Sequence, residues 1–247
     1  MPRARLWVLV SLTAPTILSA QDIERRVGAT PSGTLRLSFA ARPGVCGNGV
    51  NNIRTRQDNE EWESDCEAGP VRVALRVMDH RVVGLRSYVG GHWRPSTTAT
   101  DLGPVRPQAA AAYLIELADR AGDIEGDPVF PAALADSVTI WPALLRLARN
   151  PKLPSERRRS AVFWLGQAAE SAAGVALDSV VSDQTGDEEV RKQAVFALAQ
   201  RDPDQGVPRL IRIVKSNPDP ELRKTALFWL GQSEDPRALD LFEEILR

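Results

Sequence analysis

Three near-identical heptapeptides in the last third of the chain constrain its fold more than any other feature. They read AVFWLGQ from Ala161, AVFALAQ from Ala194 and ALFWLGQ from Ala226, so their starts lie 33 and 32 residues apart. A period of this length, carried by apolar and helix-forming residues, is typical of stacked helical hairpins, because each hairpin buries its apolar face only against a neighbour. The pattern predicts an α-solenoid in this region.

Turn signals around the heptapeptides predict two helices in each repeat. The last heptapeptide is followed by a turn at 233–236 and by an apolar helix from Arg237 to Leu246, and the preceding copy has Asp202-Pro203 in the corresponding turn. A proline-rich turn over 150–154 precedes the first copy. Ser155 follows this turn and is expected to cap the first repeat helix, because a serine oxygen accepts hydrogen bonds from free backbone N–H groups.

The segment before the repeats is also predicted to be helical. Pro95 to Thr100 has the composition of a linker, and an alanine-rich run follows it, which places a domain boundary near residue 104. Helices are expected over 108–120, 130–135 and 140–149, with Pro131 and Pro142 near helix starts. Residues 104–153 are therefore interpreted as a helical cap or a degenerate repeat, and 154–247 as the repeat domain.

The region from 21 to 103 has the patterning of a small antiparallel β domain. Apolar residues alternate with polar ones over 34–40 and 71–78, and the run 81–89 returns after Asp79-His80 as a hairpin partner. The polar stretch from Gly44 to Gly69 is interpreted as a long loop. It contains both cysteines of the chain, Cys46 and Cys66, which are predicted to form a disulfide that fastens the loop to the sheet.

The first twenty residues have the layout of a secretory signal peptide. Arg3 and Arg5 precede an apolar run that ends at Ser19-Ala20, and Pro15 and the short length argue against a membrane span. Cleavage after Ala20 and export to a periplasm or the cell exterior are expected, with no membrane span in the mature protein. An oxidising compartment also favours the disulfide.

The charge balance bears on the class of partner. The chain carries 31 basic and 32 acidic residues, and loss of the leader removes two arginines, which leaves a net charge of −3. A mildly acidic protein is a poor match for nucleic acid or for an anionic membrane surface. The expected partner is therefore a protein or peptide, and the composition does not determine an oligomeric state.

The repeats resemble the short HEAT repeats of the phycobilisome lyase type, whose hairpins begin with an Asp-Pro-Glu-Val-Arg-like string. That string is present as Asp219 to Arg223 and, more weakly, as Asp187 to Arg191, whereas the first copy has Pro154 in place of the aspartate. The resemblance covers residues 155–247 and implies a structural ladder in which aspartates and arginines bridge adjacent hairpins. Its members would be Arg158, Asp187, Arg191, Asp219 and Arg223.

The resemblance also includes enzyme families, but the sequence has few of the residues that their activities require. Deoxyhypusine hydroxylases hold iron with His-Glu pairs on their repeats, whereas the two histidines of this chain, His80 and His92, lie in the β region. Bilin lyases resemble the chain through the repeats alone. Zincin, P-loop and nucleophile-elbow strings are absent from the sequence. We therefore expect no catalytic residue, metal or cofactor. The alternative is a lyase-like enzyme or enzyme subunit with its site at the junction of the β domain and the solenoid.

Three other motifs favour ordinary structural roles. The glycine-rich run 44–49 lacks the setting of a phosphate-binding turn, and the acidic stretch 58–65 lacks the spacing of a calcium loop. His92-Trp93 fits an aromatic pair that covers the sheet edge better than it fits a ligand pocket.

A helical wheel divides each heptapeptide into two faces. With 100° per residue, Leu222, Ala226, Trp229 and Leu230 form an apolar stripe, whereas Phe228 lies on the opposite side. Residues four apart are neighbours on a helix, so each repeat carries a line of one basic residue, one phenylalanine and one glutamine. We call these lines the recognition strip; its members are Arg159, Phe163, Gln167, Lys192, Phe196, Gln200, Lys224, Phe228 and Gln232.

Two interpretations of the strip remain open from the sequence. The phenylalanines either anchor an extended partner or pack internally against a neighbouring repeat or the β domain, since exposed aromatic rows are rare without a partner. Taken together, the sequence predicts a mainly α protein, with a C-terminal α-solenoid of HEAT-like hairpins preceded by a small antiparallel β domain. Its expected function is that of an exported, non-enzymatic scaffold for another extracytoplasmic protein or peptide.

Overall fold

A computed structural model describes residues 18–49, 53–54, 66–120, 122 and 124–247. The predicted signal peptide lies almost wholly outside these residues, as does the acidic stretch 58–65. In chain order, the N-terminal elements are α1 (Ala20–Gly28), β1 (Ser32–Phe39), β2 (Cys46–Gly47), β3 (Ile53–Arg54), β4 (Glu67–Ala68), β5 (Val71–Met78), β6 (Arg81–Val89) and β7 (Ala99–Pro104). The helices that follow are α2 (Pro107–Asp119), α3 (Val129–Ala133), α4 (Trp141–Arg149), α5 (Ser155–Gly166), α6 (Ser171–Val181), α7 (Glu188–Ala199), α8 (Pro203–Ser216), α9 (Pro220–Gly231) and α10 (Pro236–Leu246).

The main sheet has four strands in the order β6-β5-β1-β7. The three predicted strands pair antiparallel, whereas β7 pairs parallel to β1, so the sheet is mixed. Part of β7 falls in the segment expected to be a linker, and that expectation is wrong at Ala99 and Thr100. The strand was missed because it lies at a sheet edge and its largely exposed residues show no alternation.

The predicted alternation correctly identifies the two faces of the sheet. Leu35, Leu37 and Phe39 of β1 are buried together with the odd-numbered residues of β5, whereas Arg36 and Arg76 lie on the other face. Helices α1 and α2 contribute Ile23 and Tyr113, among others, to the same buried core. One face of the sheet is therefore covered by helices, and the other is partly open, with residues 90–94 packed over part of it.

Helix α1 is not predicted by the sequence pattern, because it is short and contributes only two buried apolar residues, Ile23 and Val27. It begins with a capping box in which the Ser19 hydroxyl accepts from the Asp22 N–H and the Asp22 carboxylate accepts from the Ser19 N–H. These hydrogen bonds hold the pKa of Asp22 below its usual value. The expected cleavage bond after Ala20 lies in the first turn of this helix.

Cys46 and Cys66 form a disulfide, with their Cα atoms 5.2 Å apart. Cys46 lies on β2, which pairs with β3 and β4 in a second, small sheet, so the stretch interpreted as a loop contains short strands. This sheet packs against Gly90 so closely that a Cβ at that residue would lie 2.7 Å from the Gly47 carbonyl oxygen. Gly90 also has a φ of +68°, so both sterics and backbone require glycine there.

The C-terminal helices form two layers. In one layer α3, α5, α7 and α9 stack in order, and in the other α4, α6, α8 and α10 do the same. The leading alanine and the leucine of every heptapeptide are fully buried between the layers. This is the predicted α-solenoid, and α3 with α4 precedes the three repeat hairpins in the same arrangement. No described helix combines the length and the apolar composition needed to cross a bilayer.

Aspartates begin four of the repeat helices. Asp187, Asp202, Asp219 and Asp235 each accept a hydrogen bond from a backbone N–H of the first turn. Helix α5 differs, because Pro154 occupies the N-cap position and makes no side-chain cap, while Ser155 is the first helical residue. The expectation that Ser155 caps α5 is therefore wrong, since the preceding proline holds the extended conformation that an N-cap requires.

Two backbone segments fasten the helices to the sheet. Residue 125 pairs with the edge of β6, where the Leu85 N–H donates to the Glu125 carbonyl at 2.8 Å and the Glu125 N–H donates to the Val83 carbonyl at 3.0 Å. On the other side, the Asp136 N–H donates to the Ala40 carbonyl at 3.0 Å. These bonds fix the position of the first helical hairpin relative to the β region.

Candidate functional site

The recognition strip lies on α5, α7 and α9, which are consecutive helices of one layer. Phe163 and Phe228 are 36% and 58% exposed, whereas Phe196 is half-buried. The difference arises because repeat stacking brings the next helix against Phe196 but leaves the other two rings at the surface. The strip is therefore partly open and partly engaged in contacts between repeats.

Tryptophans of this layer explain the contacts that bury part of the strip. The ring of Phe130 on α3 stacks on Trp164 of α5 with centroids 5.4 Å apart, and Phe196 of α7 contacts Trp229 of α9 at 4.9 Å. Trp229 is thus half-buried at the edge of the core rather than within it. Helix α7 has Ala197 in the tryptophan position, so Phe163 meets no tryptophan of the following helix. Its ring instead packs edge-on against Trp164 of its own helix, with centroids 5.2 Å apart.

The polar members of the strip differ in their exposure and pairing. Arg159 and Lys224 are exposed, whereas the Lys192 ammonium lies 2.6 Å from a Glu188 oxygen and 3.3 Å from a Glu189 oxygen. These carboxylates raise the pKa of Lys192 through a direct hydrogen bond and neutralise its charge. Gln167, Gln200 and Gln232 each occupy the C-cap of their helix, where the backbone N–H donates to the phenylalanine carbonyl four residues earlier.

The ladder residues lie between consecutive helices of the same layer. Arg158 Nη2 is 3.0 Å from Asp187 Oδ2, and Arg191 Nη1 is 2.9 Å from Asp219 Oδ2. Arg191 is buried and also donates to the Val181 carbonyl. Arg223 instead donates to the carbonyls of Asn217 and Pro218 in the loop between α8 and α9. Ion pairs therefore join α5 to α7 and α7 to α9, and all three arginines are occupied by structural contacts.

A cleft of about 640 Å³ opens where β6, the 124–127 segment and the start of α5 meet. We call it the junction cleft; its walls include Val83, Ile124, Asp127, Pro154, Arg157 and Ser160. A second depression of about 510 Å³ continues from it along α5 toward Phe130, Phe163 and Trp164. Asp127, Glu156 and Ser160 line both. The two hollows therefore adjoin at these three residues; we refer to them together as the groove, which the heptapeptide pattern does not reveal.

Asp127 is the most perturbed group in the groove. Burial raises the pKa of its carboxyl group, although four partners act in the opposite direction: the Ser160 hydroxyl, which donates at 2.5 Å, the Val129 N–H, which donates at 2.9 Å, the nearby Arg157 and the Phe130 N–H. Arg157 is held in place because its guanidinium donates to the carbonyls of Ala118, Arg120 and Gly122. These residues close the inner wall of the cleft and connect α2 to α5.

The histidines lie away from the groove. His92 is exposed and does not line the junction cleft, and the His80 ring contacts the Gly28 carbonyl at 2.8 Å. Within the part of the chain that the structure describes, no group of three His, Cys, Asp or Glu residues is positioned to hold a metal ion. Trp93 is half-buried against Tyr88 and Arg36 at the sheet surface.

Comparison with protein families gives one match, to HEAT repeats over residues 181–247. The match covers the last two hairpins, α7 to α10, and starts at the final residue of α6. Comparisons with curated proteins and with solved structures return no significant match. The match supports HEAT repeats for the two hairpins α7 to α10, a type of unit that generally mediates protein interactions.

Proposed function

We propose that the protein is an exported, non-enzymatic HEAT-repeat scaffold that binds an extended segment of another extracytoplasmic protein along the recognition strip and into the junction cleft. The observation that carries the proposal is the exposure of Phe163 and Phe228 on a helix layer whose other aromatic residues are packed into contacts between repeats. Exposed aromatic side chains beside a groove are the usual anchors of protein recognition.

The groove matches an extended segment in its composition. Phe130, Phe163 and Trp164 supply an apolar floor, and Arg159 and Glu156 supply charges of both signs at its rim. Exposed Gln200 and Gln232 continue the line with groups that donate to and accept from a peptide backbone. The disulfide and the layout of the first twenty residues support export.

A lyase-like enzyme is not put forward, because the Ser160–Asp127 pair of the junction cleft serves as a structural contact that joins α5 to the 124–127 segment. The most perturbed group of the cleft, Asp127, is committed to Ser160 and to the backbone of Val129.

The strip is tested by replacing Phe163 and Phe228 with serine. We expect the double variant to stay folded, with a modestly lower melting temperature because each ring also contacts the tryptophan beside it, and to lose crosslinked capture of its partner from the native envelope fraction. Val175 and Leu239, each 61% exposed on the other helix layer, provide a matched control, because V175S/L239S removes comparable exposed apolar surface elsewhere. Equal capture by wild type and F163S/F228S, or equal loss in V175S/L239S, would show that the strip is not the binding surface.

Phe196 requires separate treatment, because its contact with Trp229 joins two repeats. F196S is expected to lower stability as well as binding, so it is a packing control rather than a test of recognition. Export is tested by fractionation and by determining the N-terminus of the native protein. A cytoplasmic location with residues 1–20 retained would contradict that part of the proposal.

A further inference from the structure

The open face of the four-stranded sheet carries a concentration of arginines that the HEAT region does not account for. Arg36, Arg72, Arg76 and Arg86 lie on this face; we call these four residues the basic sheet face. The register places Ala74 between Arg36 and Arg86, because Ala74 pairs with both. Arg72 and Arg76 flank Ala74 at two residues on either side of it along β5. The four cations therefore occupy neighbouring positions on three adjacent strands.

The acidic groups near this face leave its charge incompletely balanced. Glu125 forms an ion pair of 2.6 Å with Arg76, and Asp101 lies in register beside Arg36 with one oxygen accepting from the Gly103 N–H. Arg36 donates to the Arg94 carbonyl, and Arg72 donates to the carbonyls of Gly90 and Gly91. These carbonyls satisfy hydrogen bonds without removing positive charge. Among the described residues, the four arginines thus face two carboxylates.

Arg86 stands out within the basic sheet face. It is exposed, and its guanidinium makes no ion pair or hydrogen bond with any of the described residues, although its backbone belongs to the β5–β6 ladder. Arg76 pairs with Gly84, two residues before Arg86, so Arg76 and Arg86 are diagonal neighbours at a separation of about 7–8 Å between backbones. Like charges at this spacing repel each other. An anion bound between the two guanidinium groups would offset this repulsion.

A depression of about 310 Å³ lies between these two arginines. It is lined by Thr34, Ala74, Gly84, Leu85 and Tyr88, together with Glu125, the carboxylate that pairs with Arg76. The Arg76 guanidinium and Glu125 lie over Gly84, where an added Cβ would be 3.2 Å from each, so an incoming carboxylate would meet the unpaired Arg86 and share Arg76 with Glu125. The planar fork of arginine matches a carboxylate with two parallel hydrogen bonds, which a lysine does not provide.

The aromatic residues of this face favour an acidic polypeptide over a sugar or a nucleic acid. The guanidinium carbon of Arg36 lies 4.8 Å above the ring of Trp93, and Tyr88 meets the same ring edge-on. A stacking ligand requires a free aromatic face, and Trp93 is already engaged. Recognition at this face therefore depends on charge and hydrogen bonding.

We infer that the basic sheet face, with the depression between Arg76 and Arg86 at its centre, binds an acidic segment of a partner protein through Asp or Glu carboxylates. This surface contains no member of the recognition strip but adjoins the junction cleft through Glu125, which lines both. Its test uses peptides rather than the partner of the proposed function, so either can fail without the other. A partner that used both surfaces would contact the sheet with an acidic segment and the solenoid with an apolar one.

The test uses the purified full chain and two fluorescently labelled peptides of equal length, one alternating Glu and Ser and the other alternating Gln and Ser. We expect fluorescence anisotropy to show binding of the Glu peptide only, and binding should weaken as salt rises from about 50 to about 300 mM, because exposed charges are screened. R76Q/R86Q should lower the affinity by about tenfold or more through loss of two charge-assisted contacts.

The controls separate this site from general charge effects. R146Q/R212Q makes the same change in net charge on exposed arginines of the solenoid and should retain the wild-type affinity. Arg86→Glu alone tests the site by placing a repelling carboxylate at the unpaired arginine and should abolish binding of the Glu peptide. Binding of both peptides alike, an unchanged R76Q/R86Q or R86E, or an equal loss in R146Q/R212Q would overturn the inference. Tighter binding of heparin or single-stranded DNA to the same arginines would overturn the assignment to an acidic polypeptide.

Discussion

Gly166 and Gly231 occupy the same position in two copies of the heptapeptide, and each is the last residue of its helix, yet the structure predicts opposite effects for the same substitution. A Cβ added at Gly166 would lie 2.8 Å from the Ala197 Cβ and 3.3 Å from the Ala197 Cα on the next helix. At Gly231 the nearest neighbour of an added Cβ is a ring carbon of Phe242, at 3.8 Å. Glycine is thus required for packing in the first case and is unconstrained in the second.

The magnitudes follow from two opposing terms. Replacing glycine by alanine in a helix favours folding by up to about 1 kcal/mol, through propensity and a less flexible unfolded chain. At Gly166 the carbons would be about 1 Å closer than their optimal separation of roughly 3.5–4.0 Å. Overpacking of this kind costs about 1–3 kcal/mol. We therefore expect G166A to lower the unfolding free energy by about 1–2 kcal/mol and G231A to raise it by a few tenths to about 1 kcal/mol.

The assay is thermal and urea unfolding followed by circular dichroism at 222 nm. For a chain of this size, 1 kcal/mol corresponds to a change of about 2–4 °C in Tm. G166A should melt below wild type and G231A above it. If both variants shift in the same direction by similar amounts, the close packing of α5 against α7 is not as described, and the stacking argument fails.

Three further predictions concern the β region, the junction cleft and the turn before α10. Replacing Cys46 and Cys66 with serine should lower stability by about 3 kcal/mol and Tm by roughly 6–12 °C, because the disulfide closes a loop with a sequence separation of 20; a reductant should lower the wild-type Tm to the same value and leave the variant unchanged. Burial raises the pKa of Asp127, so its contribution to the unfolding free energy falls as the pH rises from its unfolded value of about 4 through its folded value. D127N should lose this decline in urea unfolding measured across that range, and a slope equal to that of wild type would refute the assignment. Asp235 has the opposite sign, since a hydrogen bond from Arg237 lowers its pKa to about 2, and the stability it contributes is lost as the pH falls toward that value.

The repeat architecture was predictable because it depends on local periodicity. Alanine and leucine of each heptapeptide recur at helical spacing, and their burial follows directly from the pattern. Alternation likewise identified the buried face of β1 and β5. Helix α1 and strand β7 were not predictable in this way, since one is short and the other lies at a sheet edge whose partner is distant in sequence.

The candidate surfaces likewise depend partly on the sequence pattern and partly on tertiary packing. The wheel placed Phe163, Phe196 and Phe228 on one side of their helices, but their exposure differs because only stacking decides which ring meets a tryptophan of the next repeat. The junction cleft depends on residues from β6, the 124–127 segment and α5, which are brought together by strand pairing at Glu125. No local sequence pattern predicts that these three elements come together.

The sequence by itself determined the helical repeat, the buried stripe of each helix and the two faces of the sheet, because these follow from residue spacing along one element. The tertiary structure alone decided that Gly166 is confined while Gly231 is free, that Phe196 is packed while Phe228 is exposed, and that four arginines share one open sheet face. The physical reason is that packing and charge depend on distances between elements, and identical local sequences have different neighbours at different places in the stack.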